Sequence, residues 1–320
     1  IAGFSQTHLN GTGVPDLGDI RMLPFNQNLQ GERFFCRYER ETQVAMPGYY
    51  SVKLADMNID VELTVTERTA MHKYTFNQPG EANLLLDLQN GLVFNSKNIR
   101  YRVLEGEVEM LDNKTIAGYN RVRGWVARYF YYMIVFDRPY TVKKELPQEE
   151  GEKAKRFILE FDLKEGESVQ VKVALSTVGI EGAKMALDKE NPGWNFESIK
   201  AETNGKWNDM LSLVEVEGTE EEKMNFYTSM YHLFIQPTNI ADIDGKYRGA
   251  NDSIFVFFLT GYYYSTFSLW DTYRAAHPLY TLLVPERAGD MVESMIAHKE
   301  AKGFLPIWTL WGERKLLYDR

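Results

Sequence analysis

The chain has 320 residues, of which 44% are hydrophobic, and its formal net charge is -9. This composition supports a large packed core, and it excludes a disordered chain. The acidic balance argues against a nucleic-acid binder, which needs a basic face. The single cysteine, Cys36, excludes an intramolecular disulfide framework. No apolar run approaches the ~20 residues of a membrane span.

The first half of the chain alternates between apolar and polar residues with a period of two. The alternation is clearest in residues 59–65, 157–163 and 169–175. Half-buried antiparallel strands show this pattern, and frequent Gly and Asn residues between them indicate turns. We therefore predict an antiparallel β-sandwich over residues 1–178.

The periodicity becomes helical near residue 180. Residues 180–191 and 195–214 predict two linker helices, which form a helical linker over residues 179–214. Thr219 and Glu222 have the spacing of a capping box, which predicts that a third helix begins there.

Two further helices are predicted over residues 268–283 and from Pro285 to Gly303, where proline suits a first turn and glycine suits a helix end. In the last helix Ala288, Met291, Val292, Met295 and Ile296 are expected on the buried face. Three helices cannot close a helical toroid, so we expect the chain to belong to a longer protein.

One candidate site is a glycine-rich loop in residues 4–20, FSQTHLNGTGVPDLGDI. Its glycines permit tight turns that would project His8, Asn10 and Thr12 from one rigid loop. The alternative is a turn between strands that carries a surface histidine. Asp19, in the same stretch, is weak evidence for acid–base chemistry because aspartate is common in turns.

The second candidate site is the predicted helix start in residues 267–283, FSLWDTYRAAHPLYTLL. Asp271 could point out of the helix end, with Trp270 as a flat apolar surface and Arg274 on the same face to orient the carboxylate. The alternative is structural, because Ser268 and Asp271 also have the spacing of a capping box. The sequence alone leaves both interpretations open.

Other polar motifs favour structural roles. The segment Asp242 to Gly245 has part of a calcium-loop pattern but lacks its distal ligands, so a turn is favoured. His232 and His277 are interpreted as packed histidines, and no His/Cys pair has zinc spacing. Residues 254–259, IFVFFL, predict either a buried strand or an exposed aggregation-prone segment.

Several motifs, in order along nearly the whole chain, resemble those of the family-92 glycoside hydrolases. The loop at residues 4–20 resembles the family's FSHTHLSGTG-x-PDLGD. Further matches are PGYYSV at 47–52, ELTVTER at 62–68, DIDGKYRG at 242–249, SLWDTYR at 268–274 and GFLPIWTLWG at 303–312.

The resemblance implies a multidomain β plus α fold. It consists of an N-terminal antiparallel β-sandwich (1–178), a helical linker (179–214) and the first helices of an (α/α)6 barrel catalytic domain, incomplete over 215–320. The resemblance also implies a bacterial, calcium-dependent, exo-acting and inverting α-mannosidase, whose partners are mannose-containing glycans, located in the periplasm or at the cell surface.

The resemblance implies that Asp271 hydrogen-bonds hydroxyls of the mannose in the cleaved subsite, and that His8, Asn10 and Thr12 belong to a sandwich loop that approaches the barrel mouth. Together with Trp270 and Arg274, which lie beside Asp271 in the sequence, these are the predicted substrate-binding residues. The family's general acid and base motifs do not occur in these 320 residues, and neither do its later calcium ligands. We therefore expect no catalytic and no metal-binding residue in this chain, and no activity from the chain alone. Gln6 replaces the family's usual histidine, and Glu313 lies where the sequence diverges from the family's WGNET.

Two other functions remain open. One is a non-catalytic glycan-binding or cell-surface protein, which would bind sugar without downstream carboxylates. The other is a related glycosidase or disaccharide phosphorylase with the same sandwich-plus-toroid architecture.

Overall fold

The computed structural model describes residues 1–7, 17–26, 34–91, 102–124, 127–257 and 261–309. The described residues of the N-terminal part form twelve strands: β1 (Arg21–Phe25), β2 (Tyr38–Met46), β3 (Tyr49–Leu54), β4 (Ile59–Val65), β5 (Thr69–Phe76), β6 (Ala82–Asp87), β7 (Val103–Met110), β8 (Thr115–Arg123), β9 (Ala127–Phe136), β10 (Tyr140–Glu145), β11 (Arg156–Phe161) and β12 (Ser168–Ser176).

These strands form two antiparallel sheets, which confirms the predicted sandwich. One sheet has four strands in the order β1-β6-β11-β10, and the other has eight in the order β2-β3-β4-β5-β12-β9-β8-β7. The apolar faces of both sheets meet in one buried cluster. β6 is buried along its whole length, and β11 alternates as the sequence predicted. β4 alternates only as far as Glu62, because beyond it Thr64 is buried and Leu63 is only partly buried. Val65, at the end of β4, is 39% exposed and lies outside the buried face.

Within the part of the chain that the structure describes, six helices follow the sandwich: α1 (Ile180–Glu190), α2 (Phe196–Leu211), α3 (Glu220–Phe234), α4 (Leu269–Thr272), α5 (Ala276–Leu283) and α6 (Pro285–Lys302). Between and after them lie six short strands: β13 (Thr238–Asn239), β14 (Lys246–Arg248), β15 (Ile254–Val256), β16 (Tyr264–Ser265), β17 (Phe267–Ser268) and β18 (Trp308–Thr309). The pairs β13–β16, β14–β15 and β17–β18 are antiparallel. In the described part of the chain, the helices do not close into a barrel.

The start of α3 confirms the predicted capping box. The Thr219 hydroxyl accepts from the backbone N–H of Glu222, and the Glu222 carboxylate accepts from the backbone N–H of Thr219. This reciprocal pair satisfies two N–H groups that the first turn of a helix leaves without partners.

The predicted continuous helix over residues 268–283 is wrong. It is divided into α4 and α5, with a break at residues 273–275. Pro278 explains the break, because it has no N–H to donate one turn back and its ring clashes with the preceding turn. In the structure Pro278 is the third residue of α5, within the first turn, where the missing N–H costs nothing.

The buried face of α6 agrees with the prediction in part: Met291 is buried and Ala288 and Met295 pack against the same cluster, but the face turns away from Val292 and Ile296. Val292 and Ile296 are 51% and 39% exposed, whereas Met291, Ser294 and His298 are buried. Ser294 accepts a hydrogen bond from the backbone N–H of Tyr264, which holds this face of α6 against β16. The packed face includes a buried serine and a buried histidine, which the spacing of apolar residues in the sequence does not reveal.

Two other predictions about individual segments also have clear outcomes. His232 is exposed, so its assignment to the core is wrong, whereas His277 is half-buried between the rings of Phe267 and Tyr280. Residues 254–256 form the short exposed strand β15, which pairs with β14.

α1 and α2 pack against the eight-stranded sheet. The small side chains of α1 lie against β8, β9 and β12, and Thr203 of α2 donates a hydrogen bond to the Val65 carbonyl. Tyr280 of α5 donates to the carbonyls of Leu233 and Gln236 at the end of α3. No helix in the described ranges is both long and apolar enough to cross a membrane.

Candidate functional site

The predicted residues Trp270 and Asp271 lie on an exposed surface that we call the α4 tip, formed by Ser268, Trp270, Asp271, Tyr273 and Trp308. Pairing of β17 with β18 brings Ser268 opposite Trp308. The indole Nε1 of Trp308 donates to the Ser268 hydroxyl at 3.1 Å, and that hydroxyl donates to Oδ2 of Asp271 at 2.7 Å. This chain of hydrogen bonds orients an exposed carboxylate.

The structure decides against the capping interpretation of Asp271. Ser268 is the N-cap of α4, but its side chain makes no capping hydrogen bond. The Ser268 hydroxyl is instead used to hold the Asp271 carboxylate. The second carboxylate oxygen, Oδ1, is left to accept from solvent or from a ligand.

Exposed aromatic rings surround this carboxylate. Trp270 is 61% exposed and Tyr273 58% exposed, and the ring centroids of Trp270 and Trp308 are 6.5 Å apart. Large aromatic side chains usually lie buried in a protein core, where they supply much of the apolar contact area. Their exposure beside a carboxylate suits a ligand with an apolar face and several hydroxyl groups.

Arg274 does not orient Asp271 as predicted. Its guanidinium lies over the ring of Tyr273, 5.5 Å from the centroid. No ion pair joins Arg274 to Asp271, both of which are described residues. The break after α4 removes the regular helix that would have placed them on one face.

His8, Asn10 and Thr12 lie outside the described residues, but both ends of their loop are described. The Ser5 hydroxyl donates to the Asp19 carbonyl at 2.6 Å. The backbone N–H of Gly18 donates to the carbonyl of Thr7 at 3.0 Å and to its hydroxyl at 3.1 Å. These contacts close the base of the loop.

Asp19 anchors that base through two arginines. Its carboxylate is 2% exposed and lies 2.6 Å from Nη2 of Arg128 and 2.8 Å from Nη2 of Arg102. Burial by itself would raise the pKa of Asp19, but the two guanidinium groups outweigh burial and lower it. Asp19 is therefore held as a carboxylate in an ion-pair cluster, which does not suit proton transfer.

The backbone beside this anchor takes unusual conformations. Leu17 and Ile20 have φ angles of 61° and 58°, a region that side chains other than glycine rarely occupy. Such strain persists only where the surroundings impose it, and it is concentrated at functional sites. No local pattern in the sequence indicates Arg102 or Arg128, because both are distant in the chain from Asp19.

A cleft of about 610 Å³ lies where the sandwich, α2, α3 and the β13–β16 pair meet. Gln6 and Thr7, the described residues just before His8, line this junction cleft. None of its described lining residues belongs to the α4 tip. The predicted convergence of His8 and Asp271 on one pocket stays a prediction.

The described residues do not fit a calcium site. No group of three or more His, Cys, Asp or Glu side chains among them could hold a metal ion. In the segment with a partial calcium pattern, Asp242 accepts from Ser176 at 2.7 Å and Asp244 pairs with Lys246 at 2.6 Å. Gly245, at φ 78°, donates to the Asp242 carbonyl, so this segment is the predicted turn.

Comparison with protein-family profiles and solved structures places these features in a known class. Residues 1–176 match the glycosyl hydrolase family 92 N-terminal domain, and residues 182–317 match the glycosyl hydrolase family 92 catalytic domain. The chain belongs to glycosyl hydrolase family 92. A comparison with curated proteins finds no match.

Three solved structures share the fold. The family GH92 α-mannosidase BT3965 from Bacteroides thetaiotaomicron is 32% identical with a TM-score of 0.86, over 97% of this chain and 44% of that chain. The complex of BT3965 with mannoimidazole is 31% identical, with a TM-score of 0.86 over 97% of this chain and 43% of that chain. The inverting mannosidase BT2199 from the same organism is 24% identical, with a TM-score of 0.83 over 99% of this chain and 43% of that chain. At this identity the match supports the fold alone. This chain therefore spans less than half the length of the relatives it matches.

Proposed function

We propose that the protein to which this chain belongs is an exo-acting, inverting α-mannosidase that removes terminal α-linked mannose from glycans. The observation that carries the proposal is the 32% identity to an α-mannosidase over 97% of this chain. The α4 tip supports it, because its carboxylate and exposed rings suit a sugar with hydroxyl groups and an apolar face.

Within that function, Asp271 is proposed to accept hydrogen bonds from hydroxyls of the terminal mannose. Its Oδ2 is already held by Ser268, so binding a sugar hydroxyl at Oδ1 requires little further ordering. Trp270 is proposed to pack against the apolar edge of the sugar. His8, Asn10 and Thr12 are proposed to contact the same sugar from the sandwich loop, and Arg274 from beside Tyr273.

An inverting hydrolase needs two carboxyl groups roughly 6.5–9.5 Å apart, one to protonate the leaving oxygen and one to activate water. We place both groups, and the ligands of the proposed calcium ion, in residues outside this chain. The proposed division is a sandwich over 1–178, a linker over 179–214 and the start of the catalytic (α/α)6 domain over 215–320. The proposed location is the periplasm or the cell surface.

The test uses the intact protein with a synthetic α-mannoside. Released mannose should appear first as the β anomer in proton NMR spectra, because inversion reverses the anomeric configuration, and a calcium chelator should abolish release. The 320-residue chain alone should release none. Absence of mannose release from every α-mannoside tried with the intact protein would refute the proposal. An absolute requirement for phosphate would instead indicate a phosphorylase, and sugar binding without turnover a non-catalytic protein.

A further inference from the structure

Trp308 reaches the α4 tip from a distant part of the chain. It lies in β18, which follows α6, and it is 40 residues from Ser268. Pairing of β17 with β18 fixes its backbone there, and the Ile307 carbonyl accepts from the backbone N–H of Leu269 at 2.9 Å. Trp308 therefore has a defined position relative to the first residue of α4.

The two hydrogen bonds of the α4 tip can run in only one direction. An indole N–H donates and cannot accept, and an ionised carboxylate accepts and cannot donate. The Ser268 oxygen therefore accepts from Nε1 of Trp308 at 3.1 Å, and its single proton goes to Oδ2 of Asp271 at 2.7 Å. Because Trp308 occupies one side of the hydroxyl oxygen, the proton is turned toward Asp271.

The Ser268 side chain does not hold α4 together. Within the described ranges its hydroxyl makes only these two hydrogen bonds, and it caps no helix. Thr272 donates to the backbone carbonyl of Ser268 at 2.9 Å, a contact that needs no serine side chain. Ser268 is half-buried and Asp271 exposed, and substitutions at such positions usually change folding stability little. The hydroxyl serves to orient an exposed carboxylate.

This orientation matters for binding, because a ligand that has to immobilise a flexible side chain loses affinity by the free energy of that ordering. In the α4 tip the ordering is already made in the folded chain, before any ligand arrives. A binding group keeps its productive geometry when neighbouring residues on regular elements support it. β17 and β18 provide that support here.

We propose that Trp308 and Ser268 are positioning residues of the sugar site and that they act in series. Trp308 orients the Ser268 hydroxyl, and Ser268 orients the carboxylate of Asp271. The inference rests on the proposed function, in which Asp271 accepts a hydrogen bond from a mannose hydroxyl. It adds that the strength of this contact depends on an N–H group supplied by β18.

The test is a mutant cycle on the intact protein with calcium present. Calorimetry measures the Kd of D-mannose, and initial rates give kcat/KM for a synthetic α-mannoside. Ser268→Ala should weaken mannose binding and lower kcat/KM about fivefold, and Trp308→Phe, which keeps an aromatic ring without the N–H, about threefold. Ser268→Thr keeps the hydroxyl and should stay within about twofold of the wild type.

The losses should not add, because the residues act in series. In Ser268→Ala, Trp308→Phe should have no further effect, and in Asp271→Ala neither substitution should change kcat/KM. The matched controls are Trp194→Phe, between α1 and α2, and Ser229→Ala, on the exposed side of α3. Both should leave Kd and kcat/KM unchanged.

Melting temperatures establish which variants are folded, and Ser268→Ala tests the proposal by itself if Trp308→Phe does not fold. A folded Ser268→Ala that equals the wild type would overturn the positioning role. A loss that persists in Asp271→Ala would also overturn it, since a purely structural contribution predicts that result.

The two measurements separate this proposal from the proposed hydrolysis. If the wild type binds mannose with the expected pattern among the variants but releases none from any α-mannoside, only the hydrolysis is refuted. If the wild type releases mannose and the folded variants match it, only the positioning role is refuted. Absence of both mannose binding and mannose release in the wild type would overturn both.

Discussion

Asp242 should make the stability of this protein depend on pH, and Asp242→Asn should remove that dependence. The side chain is 3% exposed and joins the end of β12 to the segment after β13 through Ser176. Burial is the largest influence, and it raises the pKa of Asp242 from 3.8 to about 6. The hydrogen bond from Ser176 offsets only part of the burial.

The size of the effect follows from the two pKa values. The difference between 3.8 and about 6, at about 1.36 kcal/mol per pKa unit, corresponds to on the order of 3 kcal/mol. Well below pH 3.8 the carboxyl is protonated in both the folded and unfolded states. As the pH rises through about 6, the unfolded chain is already ionised while the folded chain holds its proton, so stability falls. Above that range the full cost is present.

The assay is urea unfolding of the wild type and of Asp242→Asn at pH 4.5 and pH 7.5. Asparagine cannot ionise, so the variant should gain about 2 kcal/mol relative to the wild type between the lower and the higher pH, because about 1 kcal/mol of the total cost is already present at pH 4.5. Comparing the two pH values cancels the fixed cost of the new amide, including its contact with Gly182, whose Cα lies close to the carboxylate.

Asp244→Asn is the matched control. Burial by itself would raise the pKa of Asp244, but the hydrogen bonds and the charge of Lys246 outweigh burial and hold that pKa below its usual value. Asp244 is therefore ionised at both pH values of the assay. The difference in the free energy of unfolding between Asp244→Asn and the wild type should therefore change little between pH 4.5 and 7.5. If Asp242→Asn showed the same change with pH as the wild type, the assignment of a buried carboxyl with a raised pKa would be refuted.

Three further predictions follow from the described contacts. Asp271→Ala in the intact protein should reduce mannoside hydrolysis by more than tenfold. The melting temperature should stay within about 2–3 °C of the wild type, because the carboxylate is exposed and caps no helix. A large loss of stability would instead indicate a structural role for Asp271. Asp19→Ala should lower the free energy of unfolding by about 3–5 kcal/mol in urea, because the substitution removes the carboxylate that the buried Arg102 and Arg128 share. A loss of less than about 1 kcal/mol would contradict the assignment of a buried ion-pair cluster. Thr219→Ala should cost about 1 kcal/mol in the same assay, whereas Thr219→Ser, which keeps the hydroxyl, should cost little.

Local chemistry in the sequence was enough to predict the sandwich and most of the helices. A period of two identified β4, β11 and β12, and the box at Thr219 and the Pro and Gly at the ends of α6 marked helix boundaries. These features depend on neighbours within a few residues, which the sequence displays directly. The family motifs likewise indicated glycosyl hydrolase family 92, which the profile matches confirm.

Long-range contacts decided what the local pattern could not. Ser294 and His298 are buried because α6 meets β16, not because of their hydropathy. The arginines that hold Asp19 are far from it in the chain. The partner of Asp271 is a serine that is itself held by Trp308, 40 residues further on.

The sequence by itself determined the elements and the family, because strand alternation, caps and turn residues act over distances of one or two turns. Only the tertiary structure decided which buried polar groups find partners. Asn239 and Gln6 are ordinary residues in the sequence, and each has a buried amide atom without a partner among the described residues because of where the chain folds back on itself. Hydrogen bonding of a buried group depends on geometry across the fold, and that geometry is absent from any short segment.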